Sequence, residues 1–182
     1  MWKMRCIYKK NMMYKGYTIQ PYSPKAGTAI SSHELNQPGT YQDVTDTTVT
    51  AQFKLVEKDL PEFLQTGLET FVLAWTTTPW TIPANKALAY NESLDYLLVE
   101  INDDGDFKNK KILIAAALID SVVKDTKIQS FKKLKNFKGK DLKGTICNHP
   151  FLKLGYEYDI PMLEARFVTT EQGTGIVHCA PS

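Results

Sequence analysis

With 182 residues, 43% of them hydrophobic and 23% charged, the chain has the makeup of one globular domain with a real core. Its longest apolar run, Ile112 to Ile119, falls far short of the roughly 20 residues of a membrane helix, and its first residues hold no apolar signal core, so neither a membrane partner nor export is expected. Cys6, Cys147 and Cys179 are odd in number and lack a CxxC pair, which argues against a disulfide framework or a zinc site and fits a reducing cytoplasm; a formal net charge of +2 does not by itself demand a nucleic-acid partner.

The first twenty residues set Lys3, Arg5, Lys9, Lys10 and Lys15 among Trp2, Ile7, Tyr8, Met12 and Met13, a pattern that predicts a short amphipathic helix. Pro21, Pro24, Gly27, Pro38 and Gly39 then punctuate residues 21–41, which read as an extended loop or short hairpins. From Thr48 to Leu55 apolar and polar residues alternate as in a half-buried strand. Thr70 to Thr76 and Tyr96 to Ile101 are rich in β-branched, aromatic and aliphatic residues and predict two more strands. Ile112 to Ala116 predicts another, with a short helix over Leu118 to Lys124. Arg166 to Thr170 and Ile176 to Ala180 form an expected last pair, joined by a glycine-bearing hairpin from Glu171 to Gly175. Many short strands without regular βαβ alternation imply a mainly β fold, a barrel or packed sheet with peripheral helices.

Thr76, Thr77 and Thr78 place three hydroxyls at the end of a predicted strand, just before Pro79, which cannot extend a ladder. Side chains alternate along a strand, so Thr76 and Thr78 share one side and Thr77 opposes them. Threonines also simply favour strands, so the run alone leaves a site and a plain strand end both open. Gly173-Thr174-Gly175 supplies a turn whose backbone can approach a ligand closely, and an ordinary hairpin would use the same residues. His178 and Cys179 are neighbours, yet on a strand they face opposite ways, so they make no nucleophile–base pair; Cys179 reads as a small core residue, and His178 as either a structural or a site histidine. Between Lys124 and Lys143 eight lysines meet only Asp125 and Asp141, with Phe131 and Phe137 interleaved. That stretch is either a solvated face or a phosphate-contacting patch, with Lys132, Lys133, Lys135, Lys138 and Lys140 as the candidate contacts. No GxSxG, HExxH, Walker-type loop or GxGxxG occurs.

Taken together, AWTTTPWTIPAN at 74–85 and GTGIVHCAP at 173–181 resemble, in order and spacing, the two signature segments of the isoleucyl-tRNA synthetase editing domain. YKGYTIQPYSPKAGTAISSHEL at 14–35 resembles the opening of that insertion, and YQDVTDTTV at 41–49 and KGKDLKG at 138–144 match as well. Valine and leucine enzymes carry a TRPE-type sequence where TTTPW stands here, which favours isoleucine.

The resemblance implies an editing-domain β-barrel over residues 21–182, preceded in 1–20 by a helix that flanks it in the parent catalytic domain. It implies hydrolysis of valine wrongly attached to the 3′ end of the isoleucine tRNA by an activated water, with no metal and no cofactor. Thr76, Thr77, Thr78 and Asn85 are expected to surround the terminal adenosine and the water, Trp75, Gly173, Thr174 and Gly175 to approach the substrate, and His178 to shape the amino-acid pocket. The synthetase motifs HIGH and KMSKS are absent, so no tRNA charging is expected. Ala26 stands where some relatives have a zinc-ligating cysteine. In the family the segment after HxAP leads into a GxDD-type stretch whose aspartate holds the α-amino group; this sequence stops at Ser182, so that carboxylate is expected to lie outside it. The alternative function is a non-catalytic RNA-binding barrel.

Overall fold

The computed structural model describes residues 2–181, apart from 57–59, 66, 104 and 106. Its contacts divide the chain between Thr45 and Asp46, which groups the turn-rich residues 21–41 with the first helix rather than with the sheets. In the first unit the basic amphipathic stretch forms helix α1 (Trp2–Lys9), which buries none of its residues. Strands β1 (Tyr22–Ser23) and β2 (Thr28–Ala29) pair antiparallel as a short hairpin. Helix α2 (Ser32–Leu35) starts on a capping box: Glu34 N donates to Ser31 Oγ, and Ser31 N donates back to the Glu34 carboxylate at 2.7 Å.

In the second unit the alternating stretch becomes β3 (Val49–Lys54), which pairs antiparallel with β4 (Thr70–Thr76). The next strands are β5 (Ala87–Tyr90), β6 (Asp95–Ile101) and β7 (Lys111–Ala115), after which α3 (Ile119–Thr126) turns the chain back. Then come β8 (Phe131–Lys138), β9 (Ile146–Asn148), β10 (Asp159–Glu164) and β11 (Val177–Cys179). Five strands form one sheet in the order β3-β4-β7-β6-β8, and four form another in the order β11-β5-β10-β9. β7 lies between β4 and β6 and all five of its residues are buried, so the continuous apolar run at 112–115 is an interior strand rather than a half-exposed one. The two sheets meet where Leu55 bridges Cys147 and Val56 N donates to Ile146 O, and Phe53, Leu73, Leu98, Leu113 and Ile160 belong to one shared core. The fold is mainly β with few helices, and among the described residues no helix is long and apolar enough to cross a membrane.

One expectation needs correction. Residues 166–170 form no strand, and β11 pairs with β5, in the register His178 with Leu88, so Glu171–Gly175 is not a hairpin connection. The lysine-rich stretch, read as a surface of unspecified structure, contains an edge strand, β8. Its less exposed residues Phe131, Leu134 and Phe137 recur every third position, and a bulge shifts the register of the pairing between Leu98 and Val99.

Candidate functional site

The site grows from the end of β4. Thr76 is the strand's last residue and is buried; Thr77 is exposed, and Pro79 opens a 3-10 turn over Pro79–Ala84. Thr78 N donates to Thr76 Oγ1 at 3.1 Å and the two hydroxyls lie 3.2 Å apart, so Thr76 and Thr78 do share a side. The 3-10 turn brings Thr81 Oγ1 to 3.3 Å from Thr78 Oγ1, and its hydroxyl donates to Thr78 O at 2.7 Å.

His178 reaches this hydroxyl cluster from β11. Its Nε2 lies 2.8 Å from Thr81 Oγ1 and its Nδ1 lies 2.7 Å from Asn85 Nδ2. Asn85 is fully buried, and the same amide nitrogen donates to Ala87 O at 3.0 Å, which identifies it as the nitrogen because a carbonyl only accepts. The proton order follows: Asn85 donates to Nδ1, the imidazole proton sits on Nε2 and points at Thr81, and Thr81 donates to Thr78 O. His178 therefore presents a donor to the threonines, not a basic lone pair. Burial first, and the nearby His149 second, hold its pKa below the ordinary histidine value of 6.5, so the ring is neutral at pH 7.

The GTG loop shares this site and is docked onto the sheet rather than hung between strands. Thr174 is buried, its hydroxyl donates to Leu73 O, and its carbonyl accepts from Ala115 N at 2.9 Å. Tyr96 Oη donates to Gly175 O at 2.8 Å. Gly175 has φ +74, and a Cβ there would meet the Ala115 Cβ at 2.2 Å; Gly173, at φ +77, lies against the Trp75 ring. Glycine is required at 175 by both backbone and space.

Together these elements enclose a cleft of about 610 Å³ lined by Trp75, Thr76, Thr77, Thr78, Gly173, Thr174, Gly175 and His178, joined by Thr81, Glu171 and Phe167 among others. A second cleft of about 680 Å³ adjoins it across Trp75 and residues 171–174, and α3 forms its far wall. Of the catalytic and substrate-binding residues expected from sequence, Asn85 is the one that does not line the cleft; it is buried and hydrogen-bonded to His178. Lys132, Lys133, Lys135 and Lys138 lie on β8 and Lys140 on the turn after it, and none of them lines this cleft. Cys179 is half-buried with its pKa raised, chiefly by burial, and is not the core residue expected; Cys147 is the buried thiol. Thr81 was missed. The signal was available, since it lies three residues past Thr78 within the same hydroxyl-rich segment, one turn of a 3-10 helix away.

The fold defined by these sheets is that of synthetase editing domains. It superposes on the editing domain of the Plasmodium falciparum cytosolic leucyl-tRNA synthetase with a TM-score of 0.55 at 10% identity, covering 72% of this chain and 60% of that one. The matching domain from P. knowlesi gives a TM-score of 0.54 at 14% identity, with 73% and 56% covered. No family model matches the chain. By sequence the chain is similar to one segment of the isoleucine–tRNA ligases. It is 57% identical over 174 residues to the Pelagibacter ubique isoleucine–tRNA ligase, covering 96% of this chain and 18% of that protein. It is 45% identical over 199 residues to the Cytophaga hutchinsonii isoleucine–tRNA ligase, with 97% and 17% covered. The chain thus spans less than a fifth of the length of these relatives.

Proposed function

We propose that this chain is the proofreading module of an isoleucine–tRNA ligase and hydrolyses the ester that joins valine to the 3′ end of the isoleucine tRNA. The observation that carries the reading is the convergence, in one polar cleft, of the Thr76–Thr78–Thr81 hydroxyls, a neutral His178 and the docked GTG loop. His178 has both ring nitrogens engaged, and its donor orientation toward Thr81 supports attack by a water rather than by a threonine oxygen. In that reaction the water oxygen bonds to the ester carbonyl carbon, the bond from that carbon to the ribose oxygen breaks, and the ribose oxygen takes up a proton. The carbonyl oxygen gains charge on the way and needs hydrogen-bond donors, which a cleft walled by hydroxyls and turn backbone is suited to supply. A neutral imidazole also leaves the cationic α-amino group of the substrate unopposed.

Such a module has a physical reason to exist. A binding pocket separates two side chains that differ by one methylene by only about 1–3 kcal/mol, a case for which isoleucyl-tRNA synthetase is itself the standard illustration, so a second and smaller pocket is needed to remove the error. The remainder of the synthetase and the tRNA are the partners this reading implies, and no metal or cofactor takes part. The exposed lysines of β8 favour a second reading, a module that binds tRNA without acting on it. Single-turnover incubation of this chain with valyl and isoleucyl esters of the isoleucine tRNA separates the two. Faster loss of the valyl ester is expected; equal affinity for charged and uncharged tRNA with no hydrolysis of either would leave the binding module standing.

A further inference from the structure

The 3-10 turn Pro79–Ala84 rests on a second histidine outside the cleft lining. His149 is 2% exposed. Its Nδ1 accepts from Phe151 N at 3.0 Å, which places its proton on Nε2, and that nitrogen donates to Ile82 O at 2.9 Å. The ring stacks on Tyr156 with centroids 4.7 Å apart and 13° between planes, and Phe151 and Tyr158 pack on it at a tilt. Tyr158 Oη in turn donates to Asn85 O at 2.9 Å, and the Lys86 ammonium lies 3.8 Å over the Tyr158 ring. Two side chains from one wall, the segment around β9 and β10, therefore grip the carbonyls of Ile82 and Asn85.

These two carbonyls bracket the residues that matter. Thr81 precedes Ile82 and contacts His178 Nε2, and Asn85 contacts His178 Nδ1. A buried carbonyl held by a good donor loses that constraint when the donor is removed, and a shift of a few tenths of an ångström in either residue weakens a hydrogen bond to His178. We propose that His149 and Tyr158 are positioning residues that hold Thr81 and Asn85 onto the two ring nitrogens of His178 and so fix its tautomer and orientation. Neither touches the cleft. The coupling has an electrostatic side as well, because His149 also lowers the pKa of His178, while burial, the Ile82 carbonyl and Lys86 act on His149 itself.

For its catalytic consequence the proposal rests on the hydrolytic reading above, so its test uses two readouts. The chain has only His33, His149 and His178, so nitrogen-15 labelling of histidine resolves each ring by NMR. In Tyr158→Phe, which removes one oxygen and leaves the ring packing, the His178 nitrogens are expected to move from a single tautomer toward a mixture and their titration midpoint to shift, while the chain still unfolds cooperatively with a melting temperature lowered by about the few degrees that one lost buried hydrogen bond costs. His149→Ala is expected to do the same more strongly, and His149→Gln, which restores an amide donor near Nε2, to recover part of the parent spectrum. In valyl-ester hydrolysis Tyr158→Phe is expected to lower kcat about five- to ten-fold with KM unaltered. His178 signals in Tyr158→Phe that match the parent in shift and titration would overturn the proposal, whether or not His149→Ala folds. Absence of valyl-ester hydrolysis in a full-length ligase carrying this segment would overturn the functional reading alone, because the His178 spectrum still reports the clamp.

Discussion

The cleft wall and the lysine edge belong to the same unit and are built by opposite means. In the wall the side chains hold one another in a chain: Thr76 by Thr78, Thr78 by Thr81, Thr81 by His178, His178 by Asn85. Along β8 the lysine side chains are exposed, and the contacts they make are peripheral, as when Lys138 pairs with Asp95 at 3.0 Å or Lys135 sits 4.5 Å over the Phe63 ring. Exposed ion pairs contribute roughly 0–1 kcal/mol, whereas a buried polar group stripped of its partner costs about 1–3 kcal/mol. The wall is thus a cooperative object, in which one change is felt at several residues, and the edge is a sum of nearly independent charges.

The sharpest break of that contrast is Gly175→Ala. The new Cβ would overlap Ala115 and occupy a left-handed backbone conformation, so a loss of roughly 2–4 kcal/mol in unfolding free energy is expected. Gly144→Ala is the control: its φ is +82 but nothing lies within 4 Å of the added methyl, so only the backbone strain of about 1 kcal/mol applies. Urea unfolding of the two variants measures the difference. Equal losses would mean that the GTG loop is not seated on β7 as described.

How much of this was readable in advance follows from the same contrast. The strands at 49–54, 70–76, 95–101 and 111–115 were legible because burial on one or both faces imposes a pattern on the residues themselves. β5 was not, since four consecutive buried residues, Ala87 to Tyr90, carry no alternation, and its partners β10 and β11 lie some seventy or more residues ahead in sequence. β8 was hidden by its lysines and by the bulge that interrupts its alternation. In the site, Thr76 to Thr78, GTG and His178 were found through motif resemblance, and the structure brings them to one cleft. The threonines and the glycines lie nearly a hundred residues apart, and neither residue type declares its partner. Asn85, expected around the adenosine, is hydrogen-bonded to His178, a contact that depends on the 3-10 turn between Thr78 and Asn85 and leaves no trace in residue type.

Next in size is the effect of opening the amino-acid side of the cleft. In a full-length isoleucine–tRNA ligase, alanine at the position matching His178 is expected to admit correctly attached isoleucine and to erase about 1–3 kcal/mol of discrimination, a ten- to two-hundred-fold change in the ratio of valyl to isoleucyl hydrolysis. Single-turnover hydrolysis of both esters measures it. A variant that still spares isoleucine while clearing valine at the parent rate would remove His178 from the sieve.

Acid should act on the same residue more gently. The pKa of His178 is lowered in the folded chain, as is that of His149, each mainly by burial, so the unfolded chain binds these protons first as pH falls. Their contribution to stability is complete above the unfolded value near 6.5 and is lost as pH descends through the lower folded values. Protonated Nδ1 would also face the Asn85 amide donor head-on. Both stability and valyl-ester hydrolysis are therefore expected to decline below about pH 6.5, and the acidic limb of the stability profile should flatten in His149→Gln. A profile that rises toward acid would show that these rings are charged in the folded chain.

The smallest effects per residue are expected along β8, where the lysines have two explanations that make different predictions. As an edge strand of the five-stranded sheet, β8 needs charge to discourage pairing with another chain, and its lysines serve that purpose with no ligand at all. If Lys132, Lys133, Lys135, Lys138 and Lys140 also meet tRNA phosphates, each contact adds counterion release, and neutralising one should reduce the slope of log affinity against log salt by about 0.7–0.9. The cooperative wall and the additive edge then separate cleanly, because Lys132→Gln and Lys133→Gln should lower the slope by amounts that sum, and Lys138→Gln should lower it less, since the Asp95 carboxylate already neutralises that ammonium in part. Fold and cleft should be untouched, as each substitution removes an exposed charge. Binding of the isoleucine tRNA measured from low to moderate salt for the three single variants and their combination tests this. A salt slope that stays at the parent value in the combined variant, accompanied by self-association of the chain, would assign the lysines to protection of the sheet edge alone.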